Sequence, residues 1–181
     1  MCDGVIVADY LKHEFDRQFD CLWLSHVLEH QLNVNLFLKK VYGDLKDGGI
    51  LAVTVPPLKH TIVGGHVTLW NAGLVLYNLI MAGFDCSQAR VKQYGYNISV
   101  LVPKVPAAVP YERMYFDQGD IELISQFFPK HPRMQWQQSF RGDIAQLNWD
   151  RDELYFVEPR RRGVLKYLSS GYWREKKRLA A

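Results

Sequence analysis

Short apolar runs alternate with helical spacing over residues 5–104, the pattern of an α/β domain built around parallel strands. Val5–Ala8 reads as a short buried strand ending at Asp9, and Phe19–Leu24 as a second ending at Ser25 and His26. Leu36, Phe37, Lys40 and Val41 set an apolar face against a polar one, which predicts a helix over 33–45. Asp47-Gly48-Gly49 is a turn signal, and Ile50–Val55 is the most strand-like run in the chain, stopped by Pro56-Pro57. A loop over 58–66 leads to a helix over 71–81, with Gly83 as its C-terminal cap. Two strands, over 88–94 and 97–103, flank Gly95 and predict a hairpin or a bulged antiparallel pair. Past Pro103, Pro106 and Pro110 the texture turns aromatic, with Trp136, Trp149 and Trp173. This divides the chain into an α/β part, 1–104, and an appended aromatic and basic segment, 105–181.

Composition changes this picture little. A chain of 181 residues, 48% hydrophobic and 13% aromatic, has the means to build one core and is not of a disordered class. No apolar run reaches the length of a membrane span, and no basic, apolar leader opens the chain, which predicts a cytoplasmic protein without a membrane span. Cys2, Cys21 and Cys86 are odd in number and scattered, so a disulfide scaffold is not expected. The net charge of +3 hides an asymmetry, because residues 159–181 hold eight basic residues and one acid. Such a tail suits phosphates or an acidic partner, or is a solvated terminus.

Several stretches then stand in a telling order: Phe19-Asp20, Leu28-Glu29-His30, Leu45-Lys46-Asp47-Gly48-Gly49, Gly65-His66-Val67 and Ala82-Gly83-Phe84. Together they resemble the second half of a class I S-adenosylmethionine-dependent methyltransferase, over roughly 5–104. The resemblance implies a partial Rossmann-like methyltransferase sheet, from the family's third strand onward, with the C-terminal segment appended. No Gly-x-Gly-x-Gly precedes Asp9, so it also implies an internal start and a second chain completing the fold. S-adenosylmethionine is the implied cofactor. Asp9 would accept a hydrogen bond from the adenine amino group, and the Tyr10 amide would face the ring. For Asp9 the plain alternative is a turn or cap residue. Ser25 and His26 fall at a strand's carboxyl end, where open α/β sheets place ligands.

His26, Glu29 and His30 stand at i, i+3 and i+4, so a helix would project all three from one face, with His66 returning from the loop after the Ile50–Val55 strand. Three imidazoles and a carboxylate can hold a divalent metal softer than magnesium. This set resembles, with His26 in place of a glutamate, the Glu-x-x-Glu-His…His pattern of small-RNA 2′-O-methyltransferases and some ubiquinone-pathway O-methyltransferases. Alternatively, His26 or His30 is a catalytic general base, or Glu29 simply opens a helix. Gly64-Gly65 and Tyr94-Gly95-Tyr96-Asn97 read as turns, or as a loop and an aromatic rim over a substrate. His13, His60 and His131 have no partners at informative spacing.

Three functions follow. The first is O-methylation of a small molecule or sugar-like metabolite. The second is a catalytically silent interaction module. The third is a metal-assisted RNA 2′-O-methyltransferase, which the small net charge and the lack of an RNA-binding motif disfavour.

Overall fold

A computed structural model describes residues 4–130 and 139–150. Its centre is a five-stranded mixed sheet in the order β1-β2-β4-β3-β5. β1 (Phe19–Ser25) runs parallel to β2 (Leu45–Val55), and the other pairings are antiparallel. The connection between the parallel strands is α1 (Val34–Asp44), capped by the Asn33 side chain, which accepts from the Leu36 amide. α2 (Ala72–Met81) is capped in the same way by Asn71. At its end the Phe84 amide reaches Leu79 and the Gly83 amide reaches Ile80, with Gly83 at φ 108, the paired bonds of a Schellman cap.

Both helices touch each other and the sheet, and so share one face of it. Leu51, Val53 and Val55 of β2 and Val100 and Val102 of β4 (Asn97–Pro103) bury against Phe37, Leu38, Val41, Val75, Leu76 and Leu79. β3 (Arg90–Tyr94) and β4 form the expected hairpin across Gly95-Tyr96, with Gly95 alone of the two at positive φ, as a type II′ turn requires. The chain beyond Pro103 joins the same core. Ile124, at the end of α3 (Asp120–Ile124), and Phe127 and Phe128 are buried, and β5 (Gln146–Leu147) pairs with β3. Trp136, Trp173, His131, Cys2 and the basic run 159–181 lie outside the described residues. Among the described residues no helix is long and apolar enough to cross a membrane.

Two local readings are corrected. Val5–Ala8 is not a strand but an exposed segment, with Val5 83% and Val7 96% exposed. A strand is stable only where its amides find a ladder, and none lies beside these residues. The Asp47-Gly48-Gly49 signal does not separate helix from strand. It is a bulge inside β2: between the pairs Phe19–Leu45 and Cys21–Ile50 one strand advances two residues and the other five. Gly48 at φ 75 makes the turn, and a Cβ on Gly49 would stand 2.8 Å from the Lys46 carbonyl oxygen, so glycine is required there.

Candidate functional site

β1 delivers the site. Its last residue, Ser25, is exposed, and the chain then turns through His26, whose φ of 54 lies in the left-handed region that costs a non-glycine residue energy. The His26 amide still donates to the Thr54 carbonyl of β2 at 2.9 Å, which fixes the turn to the sheet. Val27 leads into a single 3-10 turn, Leu28–His30. The expected helix bearing His26, Glu29 and His30 on one face is therefore not formed. The left-handed turn aims His26 instead.

His26 Nδ1 lies 3.1 Å from Glu29 Oε1, and its Nε2 lies 2.9 Å from Asn97 Oδ1 at the start of β4. The ring is nearly parallel to Tyr96, whose own ring carries Lys59 Nζ at 4.1 Å from its centroid. Glu29 is fully buried, and its Oε2 has no hydrogen-bond partner among the described residues. A buried carboxylate without full compensation is costly, and such groups gather where chemistry or an ion accounts for them.

The loop after β2 is laced onto this turn. The Val67 and Thr68 amides both donate to the Glu29 carbonyl, at 2.8 and 3.3 Å, and the Thr68 hydroxyl donates to the Leu28 carbonyl at 2.9 Å. That lacing places His66 beside His30, ring centroids 5.0 Å apart and edge-on. Glu29, His30 and His66 thus each present a ligand atom within 4.8 Å of the others. Of the four residues with metal-ligand character in the sequence, the structure groups these three, and it turns His26 towards Asn97.

Asp9 and Tyr10 sit elsewhere. Asp9 opens a turn, its backbone carbonyl accepting from Lys12 and His13 and its Oδ1 from the Leu11 amide, with Lys12 Nζ 3.2 Å from Oδ2. The carboxylate is half exposed and keeps lone pairs for a further donor. Tyr10 donates its hydroxyl to Asp44 at 2.6 Å and packs its ring on Phe37. Burial, then the bond to Asp44 and its negative charge, push the Tyr10 hydroxyl well above the usual tyrosine range. No hydrogen bond among the described residues joins Asp9 or Tyr10 to Ser25 or to the His26–Glu29 group. Asn97 and the Gly65 carbonyl, which accepts from His30 Nδ1 at 2.9 Å, are the site members that sequence patterns passed over as turn residues.

Comparison with known proteins finds similarity to methyltransferases over part of the chain. The profile of the family described as Methyltransferase domain matches residues 3–53. Over that stretch, less than a third of the chain, the sequence is similar to that family. "N-methyltransferase 4" of Papaver somniferum is 44% identical over 45 residues, 24% of this chain and 13% of that protein. This chain therefore spans only a small part of that curated relative. Among solved structures, "PigF with SAH" is 19% identical with a TM-score of 0.44, over 54% of this chain and 34% of that one. The N-methyltransferase NodS from Bradyrhizobium japonicum WM9 is 20% identical with a TM-score of 0.42, over 55% of this chain and 58% of that one. At that level of overlap the similarity to methyltransferases rests on the sequence match over residues 3–53. The matched residues hold Asp9, Ser25, His26 and the whole Leu28–His30 turn, so the stretch similar to that family supplies most of the site, while His66 and Asn97 come from beyond it.

Proposed function

We propose that this chain serves S-adenosylmethionine-dependent methyl transfer to an oxygen of a small molecule. The observation that carries this reading is the family match over the residues that build the β1 turn, where His26 and Glu29 form a hydrogen-bonded pair at a strand's carboxyl end. The cofactor supplies an electrophilic sulfonium methyl group. Asp9, with lone pairs to spare, is the residue for the adenine amino group, and the exposed Ser25 hydroxyl stands at the strand end beside the reacting groups.

The rest is proton handling by this chain. Glu29 Oε1 accepts from Nδ1–H of His26, which leaves Nε2 as the basic nitrogen. With Nε2 unprotonated, its partner on Asn97 is the side-chain NH2 in the flipped amide orientation and not Oδ1, and an acceptor hydroxyl can take that donor's place. A hydroxyl is a poor nucleophile until its proton leaves, whereas a neutral amine needs no such help. The His26–Glu29 pair therefore favours oxygen over nitrogen as the acceptor, although the curated relative is an N-methyltransferase over its short match. Glu29 acts as a positioning residue in this arrangement. The free edge of β1 is the place where further strands, from this protein or a second chain, complete the sheet.

Calorimetric titration of the full chain with S-adenosylhomocysteine tests the reading. Micromolar binding, about 8 kcal/mol, weakened about tenfold in Asp9→Ala, is the expected result. No heat at any concentration up to about 1 mM, a limit of about 4 kcal/mol, would remove the chain from the enzymes and leave it as an interaction module.

A further inference from the structure

The structure assigns a divalent transition-metal site to Glu29, His30 and His66. The site stands on its own geometry and does not depend on the methyl-transfer reading. Three observations carry it.

The first is the donor set: two imidazoles and one carboxylate, their ligand atoms mutually within 4.8 Å. Two histidines and a glutamate are a known zinc set, and three protein ligands leave a position for water or a ligand oxygen. The nitrogen content argues against magnesium or calcium, which take oxygen shells.

The second is the state of Glu29. Its carboxylate is fully buried, its Oε1 is shared with His26, and its Oε2 has no hydrogen-bond partner among the described residues. The contacts at Oε1 leave Oε2 uncompensated, and a dication at the junction of Glu29, His30 and His66 would engage it.

The third is orientation. A carbonyl oxygen only accepts, so His30 must carry its proton on Nδ1 to bond Gly65, and this leaves the Nε2 lone pair free. Nε2 is the nitrogen that faces Glu29, 3.9 Å from Oε1. A backbone carbonyl holding the far nitrogen of a ligating histidine is the usual outer support of a metal centre. Gly65 reaches this position at φ 80, and a Cβ there would lie 3.4 Å from Nδ1. The Val67 and Thr68 bonds to the Glu29 carbonyl fix the loop that brings His66.

The test uses the full chain, stripped with chelator and titrated with Zn2+ alone, then with Co2+ as a spectroscopic probe. The expected result is about one tightly held ion per chain, with Co2+ giving the visible absorption of a low-coordinate nitrogen–oxygen site. His30→Ala and His66→Ala, both at solvent-accessible positions, lose that ion and the spectrum while keeping the far-UV circular dichroism of the parent. Gly65→Ala keeps all three ligands but loosens the outer support, and weakens binding about 10–100-fold. His26→Ala retains the stoichiometry. Weak binding by the parent, or binding unchanged in both His30→Ala and His66→Ala, overturns the assignment, and loss of the ion in His26→Ala but not His66→Ala moves it to other residues. Zn2+ is read here without cofactor, so this outcome and that of the S-adenosylhomocysteine titration are separate.

Discussion

At one margin of the sheet, β3 is covered by β5, and Leu147 and Phe128 are buried behind it. At the other margin, β1 pairs with β2 alone among the described residues, Trp23 is 74% exposed, and the chain leading in carries the bare Val5-Ile6-Val7. Both margins are built from apolar sequence. The difference is whether a later segment among the described residues returns to cover them. The covered margin spends its hydrophobic residues on the core, and the open one presents a ladder that is unpaired among the described residues, and a large aromatic. The candidate site lies at the carboxyl end of the open strand, so its surroundings depend on what pairs there.

The largest effect should come from the covered side. Phe128 is fully buried between Phe140 and Tyr77, and Phe128→Ala should cost about 3–5 kcal/mol in urea unfolding. A loss within about 0.5 kcal/mol would mean that the segment after Pro103 does not close this margin in solution.

Next comes the join between the open strand and its neighbour. Gly49→Ala sets a Cβ 2.8 Å from the Lys46 carbonyl oxygen and 3.0 Å from that of Asp20, both backbone atoms with no room to yield. The cost should be about 1–3 kcal/mol, read from the same unfolding curves. Gly43→Ala, where a Cβ would meet nothing within 4 Å, is the control and should be neutral or slightly stabilising.

What was legible in the chain follows the same division. α1, α2, β1 and the β3–β4 hairpin could be read because their signals are local: the glycines at 83 and 95 and the apolar spacing, to which the structure adds the caps Asn33 and Asn71. Val5–Ala8 failed because strand formation is decided by a neighbour that its own residues do not encode. Asp47-Gly48-Gly49 reads as a turn ahead of the Ile50–Val55 strand, and the pairing with β1 makes that turn a bulge within β2. In the site, the spacing of Glu29, His30 and the later His66 was visible, and the structure does bring them together. The left-handed backbone at His26, the Asn97 contact and the Gly65 carbonyl were not visible, because each arises only when β1, the loop after β2 and β4 are side by side.

Trp23→Lys should leave stability within about 0.5 kcal/mol, since the side chain is already in water. Its effect should be on association: sedimentation velocity at high protein concentration should show heavier species for the parent and fewer for the variant, because a charge on an open edge discourages pairing. Identical sedimentation of the two would mean that the open margin is covered in solution, and would draw the two sides of the sheet closer in character.

The smallest effect concerns how the approach to the open strand is held. Tyr10 ties residues 9–13 to α1 through Asp44, and Lys40 lies over its ring while bonding the same carboxylate. Its hydroxyl is pushed up by burial and by the Asp44 bond and charge, so the folded chain holds this proton more tightly than the unfolded one. The sign follows. Below the ordinary tyrosine value of about 10 both states are protonated and stability does not change with pH through this group. Above it the unfolded chain ionises first, and stability falls as pH rises. Tyr10→Phe should therefore lose about 1 kcal/mol at neutral pH, for the missing hydrogen bond, and lose less than the parent between neutral pH and strong alkali. Tyr42, Tyr77 and Tyr111 are raised as well, chiefly by burial, so the alkaline decline should be reduced and not abolished. Thermal melts of both proteins across that range would read it. An unchanged alkaline decline would mean that residues 9–13 leave α1 in solution, and that the open margin is held by even less of this chain than the Tyr10–Asp44 bond provides.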